Sequence, residues 1–168
     1  MQNIYISFPD IKTLAGQSTT EEGKEQIELL SYSHGVSMPL SAGAPSNTSR
    51  KHGRCSHQDF TITKYVDTTS PSLNHYCSGG NNLKKAIITI FQASEEDSKS
   101  APVAFFTYEL DNVLISSVSV GAGGGDLPIE TISLNYTAIK WAYKKQKQDS
   151  PGTASGDVSS SWDLMKNA

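Results

Sequence analysis

Histidine and cysteine side chains are the groups in this sequence best suited to bind a metal ion. His52, Cys55 and His57 lie close together in one polar segment. A zinc site needs three or four ligands that converge at a characteristic spacing. The spacing of these three residues matches no familiar zinc pattern, and a second ligand pair exists only if His75 and Cys77 fold back onto them. The sequence therefore favours an ordinary loop here, and it predicts no metal and no cofactor.

The glycine-rich run Gly121, Ala122, Gly123, Gly124 and Gly125 is the segment that most resembles a phosphate-binding loop. A phosphate cradle needs a following helix whose N-terminal amides point at the anion. Here the run continues through a proline into a strand pattern. We therefore interpret it as a flexible connection between two strands.

A catalytic arrangement of side chains is not evident in the sequence. Serine is abundant, but no G-x-S-x-G motif accompanies it, and no serine, histidine and acid set is singled out by spacing. The carboxylates Asp67, Glu95, Glu96 and Asp97 have the positions of turn and loop residues, and nothing in the pattern pairs them. The sequence therefore predicts that the protein is not an enzyme.

Two further sets of side chains have alternative interpretations. Lys144, Lys145 and Lys147 form either an anion-binding patch or a set that keeps a strand edge soluble, and the net charge of −3 favours the second. Trp141 and Trp162 are expected to anchor the core or an interface, because Trp141 alternates with apolar neighbours on one strand face. Cys55 and Cys77 are expected to stay reduced rather than pair.

Length and composition predict one domain over residues 1–168. A chain of this length buries roughly 70% of its unfolded surface, enough for a core without disulfides. The chain is 36% hydrophobic and 18% charged, with 13 glycines, a composition lean in strong helix formers. The net charge of −3 disfavours a nucleic-acid partner. No apolar stretch approaches the ~20 residues of a membrane helix, which predicts no membrane insertion, and the N-terminus lacks the pattern of a signal peptide.

Period-two alternation of apolar residues, which is typical of strands, recurs along the chain. Segment 86–91 is apolar on both faces, which predicts a central strand. Asp111 and Asn112 suit a tight hairpin turn between segments 103–110 and 113–120. About eight or nine such strands predict a barrel or sandwich. The segments with this pattern are 4–8, 27–32, 60–65, 86–91, 103–110, 113–120, 132–136, 139–143 and 158–164.

Two segments depart from the strand pattern. Ser70 and Pro71 have the types of a helix N-cap and first turn, and Leu73, Tyr76 and Cys77 follow at helical spacing, which predicts one short helix over about Ser70–Ser78. Residues 35–58 show neither period and contain prolines and basic residues. An unstructured connection of this length in a compact domain indicates an interaction loop or disorder.

The order and character of these segments resemble the Hcp (haemolysin-coregulated protein) family of bacterial type VI secretion. The most specific match is the stretch 60–73, Phe-Thr-Ile-Thr-Lys-Tyr-Val-Asp-Thr-Thr-Ser-Pro-Ser-Leu, followed by Cys77-Ser78-Gly79. The resemblance extends over nearly the whole chain. Its other matching segments are 16–18, 27–34, 113–119, 130–136 and 139–143.

The resemblance implies a mainly β fold, a two-sheet barrel or sandwich with one flanking helix. It also implies hexameric rings that stack into a tube, which is assembled in the cytoplasm and then secreted without a signal peptide. The implied partners are further copies of the chain, spike and sheath proteins, and effectors carried in the lumen. Residues 121–125 are placed at the lumen by this resemblance. The ring-stacking loop is placed at Met38, Pro39, Ser46, Arg50, Lys51 and Arg54.

A different class of function is kept as an alternative. The same pattern of strands is compatible with a stand-alone β-sandwich module that binds glycans or proteins through the long loop and exposed aromatics such as Tyr32 or Tyr65. That hypothesis predicts a monomer with measurable glycan affinity, whereas the tube hypothesis predicts rings.

Overall fold

The computed structural model describes residues 3–20, 23–40, 53–92, 103–125, 127–144 and 156–168. These described residues form twelve strands and one α-helix, with a short 3-10 helix at Lys12–Leu14. The strands are β1 (Asn3–Ser7), β2 (Ile27–Leu29), β3 (Ser31–Ser33), β4 (Val36–Ser37), β5 (Ser56–His57), β6 (Phe60–Tyr65), β7 (Lys85–Gln92), β8 (Val103–Asp111), β9 (Leu114–Gly121), β10 (Ile129–Asn135), β11 (Ala138–Lys144) and β12 (Asp157–Asp163). The helix α1 spans Ser70–Gly79.

The strands form two main sheets and one small ladder. A six-stranded sheet has the order β12-β11-β8-β7-β1-β2, a four-stranded sheet has the order β3-β6-β10-β9, and β4 pairs with β5. Every pairing is antiparallel. The predicted mainly β class is confirmed as a two-sheet sandwich. Strand β7 lies inside the six-stranded sheet, as its two apolar faces predict.

The core lies between the two main sheets and follows the period-two rule. On β6 the inward row is Phe60, Ile62 and Lys64, and all of these side chains are fully buried. Each buried isoleucine or phenylalanine contributes about 1.5–3 kcal/mol relative to an exposed position. The other inward rows come from β1, β7 and β10, and they contain Ile6, Ala86, Ile88, Ile132 and Leu134.

The predicted hairpin between β8 and β9 is wrong. Strand β8 pairs with β7 and β11, whereas β9 pairs with β10, so the chain crosses from one sheet to the other after Asp111. Asn112 adopts a positive φ of 52°, as its residue type allows, but the turn leads into the buried Val113. The Val113 N–H donates to the Lys84 carbonyl at 3.1 Å, and the Leu83 N–H donates to the Val113 carbonyl at 2.8 Å. Burial of Val113 explains why the chain passes from one sheet to the other here and does not form a hairpin.

Two other segment predictions need correction. Segment 27–32 is two strands, because the chain leaves the six-stranded sheet at Leu30 and continues in the four-stranded sheet as β3. The connection 35–58 is not without regular structure, since its described ends pair as β4 and β5. Its central residues, 41–52, lie outside the described part of the chain.

The helix prediction is confirmed, with small differences at its ends. Pro71 occupies the first turn. Gly80, the C-cap residue, ends the helix by adopting the left-handed conformation with a φ of 60°. Leu73 is buried, and Tyr76 and Cys77 pack against the core. The N-cap position belongs to Thr69 rather than Ser70. Ser70 is the first helical residue, and its side chain bonds elsewhere.

The last two strands contain Lys144 and both tryptophans, so their positions in the sheet can be compared with the predictions. Strand β12 is the edge of the six-stranded sheet, so Lys144 ends an interior strand and does not protect an edge; Lys145 and Lys147 lie outside the described residues. Trp141 and Trp162 pack against the core, as predicted. None of the helices in the described ranges is long and apolar enough to cross a membrane.

Candidate assembly surfaces

A buried ion-pair network lies at the end of the four-stranded sheet where α1 begins. Lys64 of β6 and Glu130 of β10 face each other in the register, and both side chains are fully buried. The Lys64 Nζ donates to Glu130 Oε1 at 2.6 Å and also lies 2.9 Å from Asp67 Oδ1. The Ser70 Oγ donates to Glu130 Oε1 at 2.7 Å and accepts the Asp67 N–H at 3.0 Å. The network therefore joins two strands to the first residue of α1.

The electrostatics of Asp67 reflect this network. Partial burial of Asp67 raises the pKa of its carboxyl, but the hydrogen bonds from Thr69 and the Lys64 ammonium outweigh it, so the pKa is lowered overall. The Thr69 N–H and Oγ1 donate to Asp67 Oδ1 at 2.8 and 2.6 Å. The interpretation of Asp67 as an unpaired turn carboxylate is therefore wrong, because the Lys64 side chain points inward and pairs with it.

The segment that we call the arm consists of residues 35–40 and 53–58. It leaves the opposite end of the four-stranded sheet from the ion-pair network. The β4–β5 ladder pairs Val36 with His57 and Ser37 with Ser56, and the Gln58 N–H donates to the Gly35 carbonyl at 2.9 Å. This short ladder holds both sides of the arm together where it meets the sandwich.

The arm carries a row of exposed apolar side chains. Val36, Met38 and Leu40 alternate along one side of the chain and are 52%, 39% and 59% exposed. Pro39 and Arg54 are also exposed. Of the residues predicted for a stacking loop, Met38, Pro39 and Arg54 thus lie on the arm, whereas Ser46, Arg50 and Lys51 lie outside the described residues.

The root of the arm is built on one tyrosine hydroxyl. The Tyr136 Oη lies 2.5 Å from His34 Nε2 and 3.2 Å from His57 Nδ1, and it donates to the Gln58 carbonyl at 3.3 Å. His34 precedes β4, His57 lies on β5, and Tyr136 follows β10. We call His34, His57 and Tyr136 the root triad. It connects both sides of the arm to the four-stranded sheet.

The surroundings of the root triad favour its neutral form. Burial lowers the pKa of the His34 imidazole, and the neighbouring His57 lowers it further. Burial also lowers the pKa of His57, and it raises the pKa of the Tyr136 hydroxyl, with the Asp59 carboxylate as a second cause. At neutral pH the triad therefore consists of uncharged hydrogen-bonding groups.

Aromatic rings pack around the triad. The Phe60 ring is stacked against His34 at 5.6 Å and against Tyr32 at 5.6 Å, and it meets Tyr108 edge-on at 5.1 Å. The Trp141 ring lies 6.3 Å from His57. The Tyr32 ring is therefore packed against other aromatic rings, whereas the glycan-binding alternative requires an exposed ring. Tyr65, the other residue of that alternative, is 47% exposed.

A second exposed apolar surface lies at the end of the four-stranded sheet away from the arm. The register of β6 with β10 pairs Ile129 with Tyr65 at this end and Leu134 with Phe60 at the arm end. The Val66 N–H donates to the Pro128 carbonyl at 3.0 Å, which draws the flanking residues together. We call this surface the end patch. Its exposed side chains are Tyr65, Val66, Leu127 and Ile129.

The glycine-rich loop borders the end patch. Gly121 is the last residue of β9, and Ala122, Gly123 and Gly124 are exposed beyond it. A Cβ added at Gly123 would meet nothing within 4 Å, whereas Gly125 has a φ of 107° that side chains disfavour. Space is therefore open at Gly123, and the loop connects two strands, as predicted.

Among the described residues, the histidines and cysteines that the sequence offered for a metal site do not converge on one point. Cys55 and Cys77 are both free, and Cys55 Sγ lies 4.0 Å from Asn167 Oδ1. His75 is exposed on α1, and His52 lies outside the described residues. Within the described ranges, no group of three or more His, Cys, Asp or Glu side chains could hold a metal ion.

Sequence reasoning missed the root triad and the ion-pair network. A signal for the network was present, because Lys64 and Glu130 each continue an inward apolar row, Phe60 and Ile62 on β6 and Ile132 and Leu134 on β10. A charged residue in phase with a buried row requires a buried partner. The triad gave no such signal, since Tyr136 is distant from both histidines in sequence.

Comparisons of the sequence with known proteins agree on one family. The family model described as "Type VI secretion system effector, Hcp" matches residues 5–143. The chain is also 31% identical over 166 residues to Protein hcp1 of Pseudomonas aeruginosa, with 98% of this chain and 96% of that protein covered.

Solved structures share the fold over nearly their full length. A structure described as a type six secretion system protein has a TM-score of 0.85 and 26% identity, with 100% of this chain and 99% of that chain covered. Hcp1 from Salmonella typhimurium has a TM-score of 0.76 and 21% identity, with coverage of 99% and 97%. At 21% identity the second similarity concerns the fold alone.

Proposed function

Because the chain belongs to the Hcp family of type VI secretion proteins, we propose that it is the repeating subunit of a secretion tube. In this proposal six copies close into a ring, rings stack head to tail, and effectors travel in the lumen. The ring of six copies is carried over from the family. The observation that supports stacking in this chain is the position of the arm and the end patch at opposite ends of one sheet.

The arm and the end patch are matched in chemistry. Both expose apolar side chains, Val36, Met38 and Leu40 on the arm and four residues on the end patch. Adjacent exposed apolar groups are commonly found where a partner covers them. Because the two surfaces differ and face opposite ways, contact between them is heterologous, and a heterologous contact repeated along an axis gives an open stack. We propose that the arm of one copy packs on the end patch of a copy in the next ring.

The ion-pair network supports the end patch in this model. Tyr65 and Ile129, two exposed members of the patch, directly adjoin the buried Lys64 and Glu130 in sequence. The network fixes the backbone of both strands and the start of α1. A fixed backbone lowers the entropy that ordering the patch on contact would otherwise cost.

The glycine-rich loop is proposed to face the lumen and to contact effectors. Its exposed backbone amides and carbonyls offer hydrogen bonds, and its lack of side chains leaves the lumen wide. Further proposed partners are the spike at the tip of the tube and the sheath around it. The tube is proposed to assemble in the cytoplasm and to leave the cell without a cleaved signal peptide.

The stacking model is tested by replacing Met38 and Leu40 with serine together. Both side chains are exposed in the free subunit, so the variant should fold and form rings. We expect stacks to be lost in negative-stain electron microscopy while rings persist in light scattering. Met165→Ser, which removes an apolar side chain that is 74% exposed in the C-terminal turn, serves as the matched control. A wild-type protein that stays monomeric at high concentration contradicts the function as a whole.

The lumen assignment is tested at Gly123. A tryptophan there has open space in the subunit, so Gly123→Trp should leave rings intact and reduce the amount of effector that co-purifies with them. Gly123→Ala is the matched control, because it adds only a methyl group. Unchanged effector retention in the tryptophan variant would exclude this loop from the effector site.

A further inference from the structure

We propose that the root triad is a pH-responsive hinge, in which protonation of His34 and His57 releases the arm from the sandwich. The inference rests on the proposed function in one respect, since release of the arm would unstack rings only if the arm joins them. The hinge itself is a property of the single subunit.

The geometry of the triad supplies the first step. A phenol has one proton and two acceptor sites. When Tyr136 donates to the Gln58 carbonyl, its Oη accepts one N–H from each neutral imidazole, and every contact at 2.5, 3.2 and 3.3 Å is satisfied. The triad is therefore complete with both histidines neutral, and it needs no charge to hold the arm.

Positive charge on both imidazoles would weaken the triad. The ring centroids of His34 and His57 are 6.0 Å apart, so two imidazolium ions here would repel each other in a partly buried site. The ionisable groups around the triad are the phenols of Tyr32, Tyr108 and Tyr136 and the Asp59 carboxylate. Burial raises the pKa of Tyr108 and of Tyr136. Asp59 accepts hydrogen bonds from Ser116 Oγ at 2.5 Å and Asn135 Nδ2 at 2.9 Å, so its charge is already engaged.

Few contacts other than the triad hold the root of the arm. Apart from the triad, the described arm is held by the β4–β5 ladder, by the bond from Gln58 to Gly35 and by the long contact of Cys55 Sγ with Asn167 Oδ1 at 4.0 Å. A two-stranded ladder of this length has marginal stability by itself. Opening of the root therefore requires far less free energy than opening of the main sheets.

The direction of the pH effect follows from the neutral state. The pKa of each imidazole in the fold is below the ordinary histidine value of 6.5, so the folded arm binds fewer protons than the released arm does. The attachment is complete above pH 6.5 and weakens as the pH falls below that value. Acidification therefore shifts the population toward the released arm.

The hinge is tested by hydrogen exchange of the arm amides, corrected for intrinsic rates, at about pH 7.5 and about pH 5. We expect protection at Gln58 and the β4–β5 ladder to be lower in acid than at neutral pH, because protonation of the imidazoles favours the released arm. Protection in β7 should not change. NMR titration of the wild type should show His34 and His57 titrating below pH 6.5.

The control variants separate a pH response from simple damage. In His34→Gln with His57→Gln, arm protection should be the same at both pH values, whatever its level. His75→Gln, at an exposed position of α1, should retain the pH response of the wild type. Equal arm protection at both pH values in the wild type, or a pH response that persists in the double variant, would overturn the hinge.

The failure of the tube can be distinguished from the failure of the hinge. If the arm opens in acid and rings never stack at any pH, the hinge stands and the stacking model fails. If rings stack and the stacks are equally abundant at both pH values while the arm stays protected, the stacking model stands and the hinge fails. If both are right, stacks shorten in acid and re-form at neutral pH.

Discussion

The two ends of the four-stranded sheet are held by different kinds of interaction. At the end-patch end, Lys64 and Glu130 form a fully buried ion pair that also contacts the start of α1. At the arm end, neutral imidazoles and a phenol share hydrogen bonds between aromatic rings. Buried charges become very costly when one is left unpaired, whereas neutral hydrogen bonds contribute modestly and can be exchanged for water. The comparison indicates one end built to stay fixed and one end built to move.

The largest expected effect comes from removing one partner of the ion pair. Lys64→Ala leaves the Glu130 carboxylate buried without its cation, and we expect a loss of about 3–5 kcal/mol in the free energy of unfolding, measured with urea. The matched control is Lys85→Ala. Lys85 pairs with Glu109 and Asp111 at 3.5 Å but is 39% exposed, so its loss should cost less than about 1 kcal/mol.

The double variant Lys64→Met with Glu130→Leu sharpens this test. It replaces the pair by apolar side chains, and most of the lost stability should return because no unpaired charge remains. Similar losses in Lys64→Ala and Lys85→Ala would show that the fixed end does not depend on its buried charge.

A smaller effect is expected at Asp67, with a defined pH dependence. Asp67→Asn weakens hydrogen bonds to a charged acceptor and should cost about 2 kcal/mol at neutral pH. The pKa of Asp67 in the fold is below the ordinary aspartate value of 3.8, so its contribution to stability is present above that value and disappears as the pH falls below it. Urea unfolding of both proteins should give a difference that narrows in acid. A difference that stays constant to low pH would contradict the assignment.

The smallest effect is expected at the movable end. Tyr136→Phe keeps the ring and removes the shared hydroxyl, which should cost about 1 kcal/mol in the free energy of unfolding, because water can replace the lost partner at the half-buried imidazoles. The same variant should increase hydrogen exchange of the arm more than that of β10. A loss as large as that of Lys64→Ala would remove the distinction between the two ends.

Much of the fold could be predicted from local patterns. The strand 60–65 and the helix at Pro71 follow from period and from residue type, and both are confirmed. The pairing of strands could not be predicted in the same way. Segments 103–110 and 113–120 have the pattern of a hairpin, yet burial of Val113 between the sheets decides that they separate. Which strands pair is settled by the core as a whole, and a single segment carries little of that information.

The candidate surfaces were predictable in part. The arm was located because prolines and basic residues replace any period over residues 35–58, and the glycine run identified the loop beside the end patch. The end patch was not identified, because Tyr65 and Ile129 become neighbours only through the register of β6 with β10. Lys64 was missed because lysine is normally exposed, and its inward direction follows from the phase of β6.

In the proposed tube, the crossing of the chain at Val113 would have a mechanical consequence when force is applied along the stack. Hydrogen bonds in both directions tie this crossing to the segment that leads from α1 into β7. A force on β9 is therefore transmitted along the covalent backbone into β8. It is also transmitted through the hydrogen-bonded segment before β7 into β7, so both sheets bear the load together. A subunit built in this way resists sliding of one layer over the other, the deformation to which a sandwich joined only by side chains would yield first.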